Sequence, residues 1–154
     1  MDFVKFIVPC IVSFTACIGF SLIYNIHGRN IIIASLCGAF SWAIYLITDM
    51  FSQSMIVPYF ISGMAIAIYA EVAAYLCRSP ITVYLILGII PLVPGLTIYR
   101  AMEACLTQEL QLFGTGLLST LKIGGSISLG LILASSFFRI IRTSIWRKAS
   151  KKQP

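Results

Sequence analysis

Long apolar stretches, separated by short polar connections, follow one another along the whole chain. Five of them can be delimited, at residues 6–26, 31–48, 55–77, 81–98 and 114–138. Each is close to the roughly 20 residues that a helix needs to cross the hydrocarbon core of a bilayer. The pattern therefore predicts an all-α, polytopic membrane protein, in which residues 1–154 form a single transmembrane domain with a bundle of five helices.

The composition agrees with a membrane protein and excludes several classes of function. Of the 154 residues, 59% are hydrophobic and 10% are charged, which is more apolar surface than a soluble domain of this length can bury. The spans leave no room for a folded enzyme domain outside the membrane. The sequence shows no paired carboxylates, no Ser–His set and no metal cluster, and no P-loop motif for nucleotides. We therefore predict that the chain is not an enzyme and that any uphill transport draws on an ion gradient or a partner.

The cysteines and the histidine predict no cofactor. Cys10, Cys17, Cys37 and Cys77 lie within the predicted spans, and Cys105 lies outside them. Their number is odd, no Cys-x-x-Cys occurs, and His27 is the only histidine. We interpret the thiols as structural, because a buried cysteine behaves as a small apolar residue.

The basic residues predict the orientation of the chain in the membrane. With five spans, one side collects Arg29, Arg78 and the basic tail at residues 139–154, whereas the other side has Lys5 and Arg100. Because positively charged connections stay in the cytoplasm, we predict the C-terminus inside and the N-terminus outside. Anionic lipid is a sufficient partner for the tail, and no nucleic-acid partner is predicted. The basic residues of the tail are Arg139, Arg142, Arg147, Lys148, Lys151 and Lys152.

Two prolines and a glycine interrupt the fourth span, in the run GIIPLVPG at residues 88–95. Because proline has no amide proton, a continuous helix would leave the carbonyl oxygens of Leu87 and Ile90 without donors. Pro91 lies near the middle of the span, so the helix is predicted to break near the membrane midplane. An ordinary proline kink, whose freed groups neighbouring helices satisfy, is the alternative.

A broken helix at this depth is how many secondary transporters form a binding site. Freed carbonyl groups attract cations, and the amides that open the second half-helix attract anions. Pro94 suits the first turn of that half, which would direct the amides of Gly95, Leu96 and Thr97 toward a carboxylate. The sequence therefore predicts a substrate-binding site formed by Pro91, Pro94, Gly95, Leu96, Thr97 and Tyr99.

Ionisable side chains within or beside the spans are candidates for ion coupling or for a polar pathway. Glu71 lies in the third span and Lys122 in the fifth, where a charge is costly unless it faces protein or water. Their distances from the span ends predict that they lie at different levels. For both residues, the alternative is that the long side chain extends its charged end to the membrane interface. For Glu71 this direction would be toward Arg78. Arg100 is the third candidate, and its alternative is a local pair with Glu103 on one helix face.

Small residues mark predicted contacts between helices. They are frequent in the fifth span, and Gly63 and Ala67 lie four residues apart in the third. Such surfaces allow helices to approach closely. In the fifth span they are Gly114, Gly116, Ser119, Gly124, Gly125, Ser126, Ser128 and Gly130.

Three segments carry a family resemblance. They are AEVAAYLCRSP at residues 70–80, IIPLVPG at residues 89–95 and YRAM at residues 99–102. An acidic residue before an Arg-x-Pro turn, followed by P-x-x-P-G and Y-R-A, resembles the threonine/serine exporter family, and within it the small, YjjB-like subunit. The resemblance is sharpest over residues 70–102, and length and span count extend it to the whole chain.

The resemblance implies a function, a location and a partner. It implies export of small amino acids, such as threonine and serine, or of small carboxylates across the bacterial cytoplasmic membrane. Longer members of the family join two five-span halves, and this chain is similar to the second half alone. A larger membrane subunit of the same family, with a cytoplasmic N-terminal region, would then complete the exporter.

Two hypotheses stay open at this point. In the first, the chain is a subunit of a secondary transporter driven by an ion gradient. The substrate carboxylate rests on the amides of Gly95 to Thr97, its ammonium group meets freed carbonyls or Glu71, and Glu71 exchanges protons with the gradient. In the second, the chain is a non-transporting scaffold or assembly subunit, and the segment from Pro91 to Gly95 is a packing kink.

Overall fold

A computed structural model describes residues 3–150, with side chains for residues 4–140, and these residues form six α-helices. A short 3₁₀ turn separates the fourth helix from the fifth. The elements are α1 (Phe3–Ile23), α2 (Arg29–Phe51), α3 (Val57–Cys77), α4 (Ile81–Ile89), the 3₁₀ turn (Ile90–Leu92), α5 (Gly95–Leu106) and α6 (Leu110–Ser150).

Among the described helices, α1, α2, α3 and α6 are each long and apolar enough to cross a membrane. The segments Ile81–Leu92 and Gly95–Leu106 pass the same test as a pair, with an angle of 54° between them. Helices suit this role because they satisfy their backbone groups internally, as the hydrocarbon core requires. The chain is therefore an all-helical, multi-pass protein with four candidate spans, or five if the bent pair crosses as one.

The predicted stretches and the helices differ most in the last part of the chain. α5 continues to Leu106, although the fourth apolar stretch ends at Ile98, and α6 begins at Leu110 rather than at residue 114. α6 also continues to Ser150, through most of the predicted basic tail, whose residues 151–154 lie outside the described part. Hydropathy did not indicate these extensions, because a helix that leaves the hydrocarbon core no longer needs apolar residues.

α2 is the central helix of the bundle, in contact with α1, α3 and α4. From α1, Ser13 Oγ donates to the Gly38 carbonyl at 3.1 Å, and from α3, Tyr69 Oη donates to the Ile33 carbonyl at 2.9 Å. Ser41 Oγ donates to the Gly88 carbonyl of α4 at 2.8 Å. Because Ser41 lies near the middle of α2, this last bond places Gly88 at the mid-level of the bundle.

Two clusters of buried side chains surround α2. The first joins α1, α2, α3 and α4, and the second joins α2, α3, the 3₁₀ turn and α6. The first contains Cys17, Ala34, Ala70, Ala73, Tyr84 and Leu87, and the second contains Cys37, Ile66, Leu92, Ile123 and Ile127.

α6 packs against α3 and α5, and two glycines allow its close approach to α3. A Cβ at Gly63 would lie 2.7 Å from the Ile127 carbonyl oxygen, and one at Gly130 would meet the Phe60 carbonyl oxygen. Met55, just before α3, shares a cavity wall with Ser119. Residues 55 and 63 thus lie beside residues 119 and 127, so α3 and α6 run in the same direction.

The helix directions collect basic residues at one end of the bundle. Asn30 Nδ2 donates to Ser79 Oγ at 2.8 Å, which brings the start of α2 and the end of α3 together, with Arg29 and Arg78 beside them. Arg139 lies at the same end, because α6 is parallel to α3. This distribution agrees with the charge pattern on which the predicted orientation rests, and the orientation itself stays a prediction.

Gly63→Ala is expected to destabilise the protein by about 1–3 kcal/mol, the usual cost of overpacking a tight contact. The added methyl group would collide with the Ile127 carbonyl and separate α3 from α6. Gly124→Ala is the matched control, because nothing lies within 4 Å of a Cβ at that position of α6. Thermal unfolding in detergent, followed by size-exclusion chromatography, measures both variants. Equal melting temperatures would contradict the close approach.

Candidate functional site

The fourth apolar stretch is interrupted where its two prolines lie. α4 ends at Ile89, and α5 begins at Gly95, after the 3₁₀ turn. Pro94 has φ −76° and ψ 58°, and the Gly95 N–H donates to the Val93 carbonyl at 2.8 Å. This geometry is an inverse γ-turn. It redirects the chain between the two helices, which meet at 54°.

The carbonyl groups near the prolines have donors within the chain, although the sequence analysis expected two of them to be free. The Cys17 thiol donates to the Leu87 carbonyl at 3.4 Å, and Ser41 Oγ donates to the Gly88 carbonyl at 2.8 Å. The Val93 N–H donates to the Ile90 carbonyl at 3.4 Å. The expectation of two free carbonyls was wrong, because the Leu87 carbonyl accepts from a thiol of α1, distant in the sequence, and the Ile90 carbonyl accepts from the nearby Val93 amide. Each of these carbonyl oxygens therefore already accepts one hydrogen bond within the chain.

The first turn of α5 retains amide donors. The Gly95 N–H is bonded to Val93, whereas the Leu96 and Thr97 N–H groups have no acceptor among the described residues. The Thr97 hydroxyl likewise has no partner in the described part of the chain. Of the three predicted anion-binding amides, two therefore remain free at a helix start, where the helix dipole also favours negative charge.

A cavity of about 570 Å³, with polar and apolar side chains in its wall, opens between α5 and the first turns of α6. It contains Leu96, Thr97 and Arg100 from the predicted set, and it adds carboxylates and further hydroxyl groups. The remaining lining residues are Met55, Ala101, Glu103, Ala104, Thr107, Glu109, Leu112, Thr115, Gly116 and Ser119. One cavity thus presents both signs of charge together with hydroxyl groups.

The charged groups of the cavity are unpaired within the described residues. Arg100 and Glu103 lie three positions apart on α5, yet neither forms an ion pair with the other or with another described residue. The local pair that was the alternative for Arg100 is therefore not formed in this structure. Both groups are exposed to the cavity and available to a ligand.

The cavity lies toward one end of the bundle. Its wall includes Met55, in the connection between α2 and α3. Gly88 is level with the middle of α2, and Gly95 follows seven residues later, roughly 10 Å farther at the helical rise. The break near the bundle middle therefore leads to a binding space near the bundle end, rather than to one at mid-level.

The structure does not bring all predicted site residues into this cavity. Pro91 is half-buried in the bundle, and Tyr99 is 64% exposed and is not part of the cavity wall. Lys122 is also exposed and outside the wall, but it lies three residues after Ser119 and so continues the same face of α6. Pro91 and Pro94 shape the backbone, and Leu96, Thr97 and Arg100 line the cavity.

Glu71 and Lys122 lie far apart along the bundle. Gly63 of α3 contacts Ile127 of α6, and Lys122 lies five residues before this contact, toward the start of α6. Glu71 lies eight residues after it, toward the end of α3, which corresponds to a separation of roughly 20 Å along the bundle. Glu71 is half-buried and has no ion pair or hydrogen bond with the described residues. The two groups therefore do not form a direct pair, and Glu71 is remote from the cavity.

Sequence reasoning missed the α6 wall of the cavity. Thr115 and Ser119 each donate to their own helix backbone, so their oxygen atoms remain as acceptors. A signal was present, because Gln111, Thr115 and Ser119 are polar at intervals of four, and Lys122 continues their face. The wider list of small residues on the fifth span obscured this spacing.

The cysteines take part in packing. Cys17 and Cys37 are buried, one in each cluster, and Cys17 also donates to the Leu87 carbonyl. Within the described ranges there is no group of three or more His, Cys, Asp or Glu side chains that could hold a metal.

A bent helix beside a polar cavity in a multi-pass bundle is typical of membrane transporters. The chain belongs to the threonine/serine exporter family, since the family described as Threonine/Serine exporter, ThrE matches residues 9–137. This is a family of transporters and not of enzymes. No curated protein and no solved structure matches the chain.

Ser41→Ala is expected to lower stability by about 1–3 kcal/mol, because it leaves the buried Gly88 carbonyl without its donor. Ser128→Ala is the matched control, since the Ser128 hydroxyl is exposed and bonds only to Gly124 of its own helix. Melting temperatures of the purified variants in one detergent provide the comparison. If the two variants had the same melting temperature, Ser41 would have no role in stabilising the interruption between α4 and α5.

Proposed function

We propose that this chain is the small subunit of a secondary transporter that exports threonine, serine or a small carboxylate across the bacterial cytoplasmic membrane. The observation that carries the proposal is the cavity beside α5, where Arg100, Glu103 and several hydroxyl groups share one space. A hydroxylated amino acid carries a carboxylate, an ammonium group and a hydroxyl group. Its three functional groups thus match the three kinds of group in the cavity wall.

The carboxylate of the substrate binds at the start of α5. The free amides of Leu96 and Thr97 donate to it there, and the Arg100 guanidinium, one turn farther along the helix, supplies a full positive charge. Arginine is suited to this role because its fork of donors matches the two oxygens of a carboxylate. Pro94 and Gly95 end the preceding turn, so the first amides of α5 have no carbonyl acceptor in a preceding helical turn.

The ammonium group binds on the other side of the cavity, to Glu103 or Glu109. These carboxylates replace Glu71 and the freed carbonyls of the sequence-based hypothesis, because Glu71 is remote and the carbonyls have donors. The substrate hydroxyl group donates to Thr115 or Ser119, whose oxygen atoms retain acceptor capacity. Two charge contacts and one hydrogen bond thus select a small, zwitterionic, hydroxylated substrate.

A larger subunit of the same family completes the pathway. In this chain alone the cavity is open on one side, and Lys122 is exposed on a helix that is long and apolar enough to cross a membrane. A lysine in such a position needs protein or water around it. We therefore assign Lys122 to a polar pathway at the contact with the larger subunit, with the N-terminus outside and the C-terminus in the cytoplasm.

Glu71 couples transport to the driving ion. It is half-buried on α3 and has no partner among the described residues, and an unpaired carboxylate within a span is a candidate for proton exchange. Its distance from the cavity assigns it to coupling rather than to substrate contact.

Arg100→Gln and Glu103→Gln are each expected to raise the substrate concentration that gives half-maximal efflux by about 10- to 100-fold. This increase corresponds to the loss of one charged hydrogen bond. Arg100→Lys should recover part of the loss, since it keeps the charge without the fork. Efflux of labelled threonine and serine from proteoliposomes is the measurement. The vesicles contain the chain together with the larger membrane protein that co-purifies with it.

Asp49→Asn is the control for these variants, because Asp49 is exposed near the same end of the bundle and outside the cavity wall. Wild-type affinity in both cavity variants would remove the cavity from substrate binding. Full efflux by the chain without any co-purifying membrane protein would remove the larger subunit from the proposal.

Glu71→Gln is expected to uncouple export without abolishing binding. Threonine exchange at equal pH on both sides should continue, whereas the acceleration produced by an imposed pH gradient should disappear. The same proteoliposomes measure both rates, with Asp49→Asn again as the control. Undiminished, gradient-driven export by Glu71→Gln would exclude Glu71 from coupling.

A further inference from the structure

A second cavity, of about 690 Å³, forms a groove between α2 and α3 and lies apart from the substrate cavity. Its sides are apolar and exposed, formed by Ile68, Val72 and Leu76 of α3 and by Phe40 of α2. Arg29 lies at one end. Because both helices are long and apolar enough to cross a membrane, the groove opens toward lipid or toward another membrane protein.

The length of the groove matches one leaflet of the bilayer. Along α2, it extends from Arg29 to Phe40, roughly 16 Å at the helical rise. Half of a hydrocarbon core is about 15 Å thick. The rings of Phe40 and Tyr69, which both line the groove, meet with centroids 5.6 Å apart at this end. The groove therefore starts at the end of the bundle and stops near its middle.

The uncharged polar groups of the groove wall have partners within the chain. Tyr69 Oη donates to the Ile33 carbonyl at 2.9 Å, so the hydroxyl group at the deep end is satisfied. Asn30, near the mouth, donates to Ser79 at 2.8 Å and accepts from Tyr84 at 3.1 Å. The Tyr69 hydroxyl and the Asn30 amide are thus satisfied within the chain, and the side chains between them are mainly apolar and suited to hydrocarbon.

The mouth of the groove carries unpaired positive charge. Arg29 is exposed and has no ion pair or hydrogen bond with the described residues. Arg78 is also exposed and unpaired within this part of the chain, and the Asn30–Ser79 hydrogen bond holds the two helix ends together. Two cations thus lie at the depth of a lipid headgroup.

We propose that this groove binds one anionic phospholipid, with an acyl chain between α2 and α3 and its phosphate on Arg29. The length of the groove, which spans only Arg29 to Phe40 along α2, favours a lipid over a transmembrane helix, because a helix would need a groove that continues through both leaflets. The two cations favour an anionic headgroup over a zwitterionic one. The site is distinct from the lipid contact predicted for the C-terminal tail, and it does not depend on the proposed transport function.

Native mass spectrometry of the full chain tests the proposal, after release from nanodiscs that contain equal amounts of phosphatidylglycerol and phosphatidylcholine. The wild type should retain one phosphatidylglycerol molecule. Arg29→Gln should retain it about fivefold less, the usual effect of one cation near an anionic headgroup. Val72→Trp should retain neither phosphatidylglycerol nor phosphatidylcholine, because the indole ring fills the space between α2 and α3 that the acyl chain would occupy.

Two matched variants provide the controls. Arg100→Gln removes a cation outside the groove, and Ile86→Trp adds an indole to an exposed position of α4; both should retain phosphatidylglycerol as the wild type does. Size-exclusion chromatography checks that each variant is folded. If Val72→Trp does not fold, Arg29→Gln still tests the proposal, because Arg29 is exposed and its substitution leaves the packing of the bundle unchanged.

Three outcomes would overturn the proposal. Equal retention of phosphatidylglycerol by Arg29→Gln and the wild type would remove the phosphate contact. Displacement of the lipid by inorganic phosphate would show that the headgroup alone is recognised. Loss of a dimer in Val72→Trp, with lipid retention unchanged, would identify the groove as a contact between copies of the chain.

Discussion

An interrupted helix inside a membrane bundle requires neighbouring side chains to satisfy the backbone groups that the interruption releases, since hydrocarbon supplies no donors. Here the Cys17 thiol and the Ser41 hydroxyl meet the Leu87 and Gly88 carbonyls. Both donors are short side chains on helices that approach α4 closely, and Gly38 and Gly88 permit that approach. The bend between α4 and α5, and everything that follows it in the chain, depends on these contacts.

The bend determines where the polar chemistry lies. Because α4 is followed by a 3₁₀ turn and an inverse γ-turn, α5 starts near one end of the bundle and packs against the first turns of α6. Leu96, Thr97 and Arg100 therefore line the same cavity as Thr115 and Ser119, away from the apolar clusters. This arrangement keeps charged groups out of the buried bundle, where an unpaired charge would be costly.

The two ends of the bundle differ in chemistry. One end has the cavity with both signs of charge, and the other has Arg29 and Arg78 beside an apolar groove. The cavity suits a small zwitterion, whereas the groove suits an amphiphile with a long hydrocarbon chain and an anionic head. Lys122 is exposed on α6, outside the cavity wall, and it is the residue for which we propose a contact with the larger subunit.

The sequence by itself predicted the apolar helices, an interruption at Pro91 and Pro94, and the family; it also named Leu96 and Thr97 for substrate binding and Arg100 for ion coupling, although it did not predict the cavity that these three residues line. These follow from local physics, because hydropathy and the missing proline amides act within a few residues along the chain. Only the tertiary structure decided that Cys17 and Ser41 donate to the Leu87 and Gly88 carbonyls, and that Thr115 and Ser119 complete the cavity. Each of these outcomes depends on which helices pack together and in which register, and contacts between residues as distant as 17 and 87 leave no mark in a local pattern.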